Sequence, residues 1–333
     1  MKTFFIFVAP LIVIILVIVG SFLWWNNAVS APSSTASDKR ILIKKGASAA
    51  TIGQDLESKG VVKSSLAFKL YTQINNLTKK IPPGEFLVPT NLTLEEVVKL
   101  LIKGPREVWV TIPEGFRREE IADRLLESLE LTGNEASLFR SEFLSLSANL
   151  EGYLFPDTYL FPKDVTPQAV INRVKTIFDQ KKASELDEPL AQSKVSFSEA
   201  VIIASIIERE TLTEGERPTV AGILLNRLEI GMPLQADATV QYAIGSKECV
   251  GKVGCDWWRV PTKEDLKLNS PFNTYLNPGL PPAPIANPGL VSLKAALAPE
   301  PSAYLYYIHD SYGKIHYATS LDEHNRNISL YLR

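Results

Sequence analysis

The strongest constraint on this chain is an apolar segment near its N-terminus. Its sequence is FFIFVAPLIVIILVIVGSFLWW, and no charged residue occurs between Phe4 and Trp25. At a rise of about 1.5 Å per residue, a helix of this length can cross the apolar core of a bilayer. The two tryptophans at its end suit the interface between membrane and water. We therefore expect residues 4–25 to form a transmembrane helix, with residues 1–3 as a short cytoplasmic end.

The charges that flank this segment favour one orientation. Lys2 precedes it, whereas the first charged residues after it lie at positions 38–40. This bias places the N-terminus in the cytoplasm and the rest of the chain on the periplasmic or extracytoplasmic side of the inner (plasma) membrane. A cleaved signal peptide is the alternative, with small residues within 28–31. The apolar segment is longer than the roughly 7–15 residues usual for signal peptides, which favours a retained single-pass anchor.

Composition argues against several classes of function. The 35 basic and 37 acidic residues give a net charge of −2, which is not the charge balance of a nucleic-acid-binding protein. The 3 histidines and 2 cysteines are too few for a typical protein-built zinc site. The sequence also lacks a P-loop and the GxGxxG and GxSxG motifs. We therefore expect no metal, no cofactor and no nucleic-acid partner.

A weak internal repeat follows a Ser- and Ala-rich segment at 26–40, which we expect to be a flexible linker. The first copy, ILIKKGASAATIGQDLESKGVV, begins at Ile41, and the second, VTIPEGFRREEIADRLLESLEL, begins at Val110. When Gly46 is aligned with Gly115, the apolar positions on either side coincide. Each copy predicts a strand, a turn at the glycine and an amphipathic helix.

These patterns predict an α+β fold with three parts after the linker. Residues 41–107 are expected to be a small α+β module, and residues 108–150 a connecting strand-helix region. At Glu151 the sequence becomes dense in aromatic residues and proline (EGYLFPDTYLFP). We place a larger α+β domain, expected to be the catalytic one, at 151–333.

The most informative segment of that domain is SFSEAVIIASIIERET. Its Ser-x-x-Glu start has the spacing of a capping box, and the apolar run that follows predicts a largely buried helix. Glu208 lies where this helix should end. A carboxyl at the edge of an apolar helix is costly to ionise, and a general acid needs a carboxyl that keeps its proton. The simpler interpretation is a solvated Glu208 paired with Arg217 or Arg227, and Glu210 is a competing candidate.

Polar and aromatic side chains follow in two compact clusters. One is LQADATVQYAIG, and the other is SPFNTYLNPGLPPAPIANPG, which includes a long loop rich in proline and glycine. Amide, hydroxyl and aromatic groups together suit a sugar, which offers hydroxyls for hydrogen bonds and apolar faces for stacking. Long loops of this kind are often functional. A β-rich scaffold whose turns need proline and glycine explains the same pattern equally well.

The two cysteines, Cys249 and Cys255, lie close together in the segment CVGKVGC. In an exported protein a local disulfide is the first expectation, and free thiols are the alternative. No histidine is nearby in the sequence, so nothing indicates a catalytic cysteine.

Several motifs, taken in their order along the chain, resemble the YceG-like endolytic murein transglycosylase family. They are ASIIERET, ERPTVAGILLNRLEIGMPLQADATVQYAIG, NTYLNPGLPPAPIANPG, SLKAALAPEPSAYLYYIHD and HYATSLDEHN, and both EGYLFPDTY and the N-terminal anchor fit the same family. The resemblance covers most of the chain from residue 41 onward, and the ordered series is far more specific than any single motif. The segment from Cys249 to Trp258 departs from the family pattern and looks like an insertion.

The resemblance implies cleavage of the β-1,4 bond between N-acetylmuramic acid and N-acetylglucosamine inside nascent peptidoglycan strands, with a 1,6-anhydro sugar as product. It implies that Glu208, the first acidic residue of ERET, is the general acid and base. One carboxyl can suffice because the C6 hydroxyl of the muramic acid is the nucleophile, and an internal nucleophile needs positioning more than activation. We expect sugar contacts from Gln235, Asp237, Thr239, Asn273 and Tyr275.

The resemblance also implies partners. The module at 41–107 is similar to LysM, a small glycan-binding fold, so glycan binding there is a hypothesis beside a simple packing or spacing role. Peptidoglycan strands, the membrane and peptidoglycan synthases are the expected partners. Two other functions stay open: a non-catalytic glycan-binding scaffold of the cell-wall assembly machinery, and a glycoside hydrolase with Asp237 as its second carboxylate.

Overall fold

The structure of the chain is a computed structural model. It describes residues 2–105, 107–252 and 254–332, with side chains from residue 14 onward. The chain divides into two compact units. The first contains the residues up to Trp109 together with Leu160–Asp164, and the second contains Val110–Tyr159 and the residues from Val165 onward.

Helix α1 spans Lys2–Val29 and opens the first unit. Over the described side chains, no single helix is long and apolar enough to cross a membrane. Ile14–Val29 is a shorter apolar helix, whereas Pro167–Gln192 and Phe197–Glu210 satisfy the length and composition requirement only as a pair, bent by 104° at the break between them. The side chains of the predicted span up to residue 13 lie outside the described part, so a transmembrane helix at 4–25 stays a prediction.

The rest of the first unit alternates short strands and helices. Its elements are β1 (Asp38–Ile43), α2 (Ala49–Ser58), α3 (Ser65–Ile74), β2 (Gly84–Pro89), α4 (Leu94–Lys103) and β3 (Glu107–Thr111). Strands β1 and β2 are antiparallel, with Asp38 opposite Pro89 and Ile43 opposite Gly84. From β1 to β2 this unit therefore has a strand-helix-helix-strand order, in agreement with the small α+β module expected at 41–107. Because α1 continues to Val29 and β1 begins at Asp38, only 30–37 of the expected linker lies outside regular structure.

Apolar periodicity explains the core of this unit. Ile41 and Ile43 are buried while Leu42 between them is exposed, as the alternation along a strand requires. Ile52 and Leu56 lie four residues apart and share the buried face of α2. Ala28, in the last turn of α1, joins the same core, so the end of α1 packs on the folded unit.

The second unit is mainly helical. Its elements are α5 (Arg118–Leu129), α6 (Gly133–Leu146), β4 (Thr158–Pro162), which runs into the first unit, α7 (Pro167–Lys181), α8 (Asp187–Gln192), α9 (Phe197–Glu210), α10 (Arg217–Glu229), α11 (Asp237–Glu248), α12 (Leu290–Leu297), β5 (Tyr306–His309), β6 (Ile315–Ala318) and α13 (Leu321–Tyr331). The strand orders are β1-β2-β3-β4 and β5-β6. The α+β class expected from the sequence is confirmed.

Helix α9 forms the centre of the second core and packs against α10, α11 and α12. The prediction of a largely buried helix is confirmed, since every residue from Ala200 to Ile207 except Ile202 is buried. The polar Ser205 in this run donates a hydrogen bond to the Ile202 carbonyl and accepts one from the N–H of Ile285, at 2.7 and 3.0 Å. This pair of bonds fixes the proline- and glycine-rich loop against α9.

Candidate active site

Helix α9 carries Glu208 into the site. Ser196 caps the helix and Glu199 completes the capping box, as the sequence predicts. The helix ends at Glu210 because Thr211 adopts an extended conformation, and the Thr211 hydroxyl donates to the Ile207 carbonyl at 2.8 Å. Glu208 therefore stands in the last turn, directly after the buried apolar run.

The carboxyl of Glu208 is enclosed by hydrogen-bond donors. Arg217 Nη2 lies 2.8 Å from Glu208 Oε1. The N–H of Gly289 and the hydroxyl of Ser292 donate to Oε2, at 3.0 and 2.8 Å. Only 5% of the Glu208 side chain is exposed. The simpler expectation of a solvated carboxylate is wrong, although its suggested partner Arg217 is present.

The position of α12 changes the electrostatics expected at Glu208. At the end of α9 alone, the helix dipole disfavours a carboxylate. Gly289 is the N-cap of α12 and Ser292 lies in its first turn, so Glu208 also faces a helix N-terminus, which favours negative charge. These partners are 81 and 84 residues away in sequence, and no local pattern reveals them.

A second carboxyl, which no motif in the sequence indicates, belongs to Glu114. It lies in the turn between β3 and α5, beside the carboxyl of Glu208. Arg217 Nη2 is 3.5 Å from Glu114 Oε2, so one guanidinium nitrogen contacts both carboxyls. Burial and the charge of Glu208 raise the pKa of Glu114, while Arg217 acts in the opposite direction. The Glu114 side chain is 45% exposed, far more than that of Glu208.

Asn287 ties the turn that carries Glu114 to the loop that carries Gly289. Its backbone carbonyl accepts a hydrogen bond from the N–H of Gly115, and its own N–H donates to the Phe116 carbonyl, both at 2.9 Å. Asn287 is fully buried, so these bonds are shielded from water. The two segments that supply Glu114 and Gly289 are thereby held in register.

Glu151 binds both Asn287 and the start of α5. Its Oε1 accepts hydrogen bonds from the Asn287 amide at 2.9 Å and from the N–H of Arg118, the first residue of α5, at 3.1 Å. Burial, with the nearby charge of Glu119, raises the pKa of Glu151 to about 8. The side-chain oxygen of Asn287 in turn accepts from two backbone N–H groups in Gly152–Leu154.

Glu210, the competing candidate, has a different environment. Its Oε1 accepts from the N–H of Ala238 in the first turn of α11, at 3.1 Å, and its Oε2 accepts from the Tyr307 hydroxyl at 2.8 Å. Burial raises the pKa of Glu210. The carboxyl thus joins α11 to the small sheet, and both of its oxygens are engaged in fold contacts.

Three of the predicted sugar-contact residues lie on accessible segments. Asp237 opens α11 and is exposed, and its Oδ1 accepts a hydrogen bond from the Tyr275 hydroxyl at 2.6 Å. Burial and this bond raise the pKa of Tyr275. Gln235 is also exposed and has a left-handed backbone, with φ of 48°. The structure therefore brings Asp237 and Tyr275 into contact and leaves the Gln235 side chain free to meet a ligand.

The other two, Thr239 and Asn273, are fully buried. The Thr239 hydroxyl bonds to the Ala236 carbonyl at 2.7 Å and to the Thr274 hydroxyl at 2.9 Å. The Asn273 amide donates to two backbone carbonyls in 266–268 and accepts from the N–H of Tyr275. Direct sugar contact from these two side chains does not fit the structure, because their polar groups already form hydrogen bonds with neighbouring segments.

The predicted disulfide between Cys249 and Cys255 is confirmed. The tryptophans after it pack on the start of α5: Trp257 lies over the buried Arg117 guanidinium, 4.6 Å from ring centre to Cζ. Trp258 stacks on Arg209, at 3.9 Å, and its indole N–H donates to Glu120 at 2.9 Å. Trp258 therefore packs against the residue that follows Glu208.

Known proteins are similar to this chain over most of its length. The model of the YceG-like family matches residues 41–330. Proteins named endolytic murein transglycosylase from Bacillus subtilis strain 168 and Streptococcus pneumoniae strain D39 are 30% and 29% identical, over 88% and 86% of this chain. The chain spans 84% of the length of the first and 57% of the second.

A solved structure shows the same similarity. The crystal structure of a YceG-like protein from Listeria monocytogenes is 30% identical and superimposes with a TM-score of 0.55, over 88% of this chain and 99% of the other. Together, the match over most of the sequence and this shared fold establish that the chain belongs to the YceG-like family.

Proposed function

We propose that this chain is a membrane-anchored lytic transglycosylase that cleaves the β-1,4 bond between N-acetylmuramic acid and N-acetylglucosamine inside peptidoglycan strands. Its product is a strand that ends in 1,6-anhydro-N-acetylmuramic acid. The observation that carries the proposal is the environment of Glu208, a buried carboxyl at the family motif ERET with Arg217, Gly289 and Ser292 as donors. The names of the Bacillus and Streptococcus relatives point to the same reaction.

Glu208 acts twice in the proposed reaction. Its acid form protonates the glycosidic oxygen as the bond from that oxygen to C1 of the muramic acid breaks. Its carboxylate then takes the proton of the C6 hydroxyl as that oxygen bonds to C1. Arg217 and the N-terminus of α12 stabilise the carboxylate that exists between the two steps. Because the nucleophile is internal to the sugar, no water and no covalent enzyme intermediate are required.

Sugar positioning falls to the accessible polar residues. Gln235 and the Asp237–Tyr275 pair offer an amide, a carboxylate and an aromatic face. In this proposal Thr239 and Asn273 position those groups and do not touch the ligand, because both are buried and fully bonded. Asp237 helps to stabilise the positive charge that develops at C1.

The remaining parts of the proposal concern location. The apolar segment at 4–25 is the anchor, with the N-terminus in the cytoplasm and both folded units outside. The strand-helix-helix-strand order of the first unit is compatible with a LysM-like glycan-binding module. The partners are then nascent glycan strands at the membrane surface and the peptidoglycan synthases that make them.

Product mass tests this function. The full chain in detergent is incubated with uncrosslinked peptidoglycan strands, beside a Glu208→Gln variant. We expect anhydro-ended fragments from the wild type and none from the variant. Products heavier by one water would indicate a hydrolase instead. Binding to strands without any product from the wild type would favour the glycan-binding scaffold.

A further inference from the structure

The turn at Glu114 places a second carboxyl beside Glu208, whereas the proposed mechanism uses one carboxyl and does not say where its proton comes from. Glu208 accepts hydrogen bonds from Arg217, Gly289 and Ser292, so both of its carboxyl oxygens are occupied by donors. A general acid must nevertheless hold a proton when the glycosidic oxygen arrives. A second group beside Glu208 that can give it a proton and take one back meets this requirement.

Glu114 occupies the required place. Arg217 Nη2 lies within 3.5 Å of an oxygen of each carboxyl, so the Glu114 and Glu208 carboxyls are neighbours, and a proton on one can be shared with the other through a hydrogen bond. Burial and the charge of Glu208 raise the pKa of Glu114, which favours a proton on this carboxyl. Because Glu114 is 45% exposed and Glu208 only 5%, Glu114 is also the better connected of the two to solvent.

The absence of a side chain at Gly289 makes room for the Glu114 carboxyl. A Cβ placed on Gly289 would lie 1.9 Å from Glu114 Oε1 and 2.2 Å from its carboxyl carbon, so any side chain there would displace Glu114. The φ of Gly289 is −74°, which every residue can adopt. Glycine is therefore needed here for space and not for conformation.

Other charged groups around Glu114 have partners of their own. From α9, Arg209 stacks on Trp258, and its positive charge also acts on Glu208. On its own side, Arg117 and Arg118 both pair with Glu119. From α10, Arg217 contacts the two carboxyls through Nη2 alone, and its Nε and Nη1 are buried without a partner among the described residues. Glu208 and Arg217 are thus the charges that set the state of Glu114.

We propose that Glu114 is a positioning residue that holds the catalytic proton and exchanges it with Glu208. This inference rests on the proposed function. When the substrate binds, the proton moves from the Glu114 carboxyl to the Glu208 carboxylate, and Glu208 passes it to the leaving glycosidic oxygen. Glu208 then accepts the proton of the C6 hydroxyl and returns it to the Glu114 carboxylate. The site ends with the one proton with which it began.

The pH dependence of kcat/KM tests this role. The two carboxyls titrate as a pair, and the alkaline limb of the profile reports loss of their shared proton. In Glu114→Gln, the second carboxyl that can hold the proton is gone, while Arg217 and the N-terminus of α12 stay beside Glu208. We expect the alkaline limb to move down by about one pH unit or more, which is a tenfold loss on that limb. At pH 5 the rate should stay within about threefold, with anhydro products.

The controls separate the alternatives. Glu127→Gln, at an exposed carboxyl on α5, should leave the profile unchanged. Glu114→Asp keeps a shorter carboxyl and should place the limb between those of the wild type and Glu114→Gln. A Glu114→Gln profile that superimposes on the wild type, or one that is lower by the same factor at every pH, would overturn the proposal. Anhydro products from Glu208→Gln would instead overturn the proposed function itself.

Discussion

The two copies of the internal repeat have the same local structure and different uses. Each has a strand, a turn at a glycine with positive φ (81° at Gly46 and 76° at Gly115), and then a helix with its apolar face buried. The residue before the glycine is the exposed Lys45 in the first copy and Glu114 in the second. Local sequence therefore determines the element, whereas its surroundings determine whether the turn takes part in chemistry.

The helix starts show the same difference. In the first copy, Ser48 caps α2 from within, by accepting a hydrogen bond from the N–H of Thr51. In the second copy, Glu120 bonds the N–H of Arg117, and the distant Glu151 accepts from the N–H of Arg118. The first turn is self-contained, and the second is fixed by the rest of its unit.

Alanine substitution at the two glycines should give the largest contrast. Both residues have a left-handed backbone, so each change should cost about 1–2 kcal/mol of stability. A Cβ on Gly46 meets nothing, whereas one on Gly115 lies 3.3 Å from Arg209 Cδ and 3.5 Å from Glu208 Cγ. We expect Gly115→Ala to lose roughly tenfold in cleavage rate, because its strained turn carries Glu114 and its Cβ pushes on Arg209 by a few tenths of an ångström, whereas Gly46→Ala should keep its rate.

Cleavage rates and thermal unfolding of both variants provide the measurement. Similar losses of activity in the two variants would mean that the second turn has no special part in the site.

A methyl group at Gly289 should displace the Glu114 side chain, in the turn of the second repeat copy, and leave the turn at Gly46 unchanged. Because it meets the end of a flexible side chain, Gly289→Ala should move the Glu114 carboxyl aside with little loss of stability. We expect a roughly tenfold loss of rate on the alkaline limb and recovery near pH 5, as for Glu114→Gln. The pH–rate profile measures this. A profile identical to that of the wild type would show that the position of Glu114 does not matter.

The sequence predicted more of the fold than of the site. Capping residues and apolar periodicity are local, so α9, its cap at Ser196 and the turns at both glycines follow from short segments. The partners of Glu208 come from α10 and α12, and Glu114 comes from a turn that is nearly 100 residues earlier in the chain. Only tertiary packing brings them together. The same limit explains Thr239 and Asn273, because polar side chains in a polar motif do not reveal that they are buried.

The effect expected at Glu151 appears in stability and not in the cleavage rate. Its folded pKa of about 8 lies above the value near 4.5 expected in the unfolded chain. The folded state therefore binds more protons between these values, and stability should fall by a few kcal/mol as pH rises from about 4.5 to 8. Glu151→Gln cannot ionise and should show a flatter dependence.

Hydrogen exchange of the two repeat helices measures this difference. Between pH 5 and pH 8.5, the opening free energy of 118–129 should fall more in the wild type than in Glu151→Gln. That of 49–58 should change equally in both proteins. An equal change for 118–129 would show that Glu151 does not titrate in this range.

The cleavage rates of Glu208→Gln and Glu210→Gln, measured on the same strands, test most directly whether Glu208 carries the chemistry. The two buried carboxyls are two residues apart on α9, but only Glu208 lies beside Glu114 and Arg217. We expect Glu208→Gln to remain folded and to lose about 10³-fold or more in rate. Glu210→Gln should lose stability and keep most of its rate. A folded Glu208→Gln that cleaves within about tenfold of the wild type would contradict the assignment.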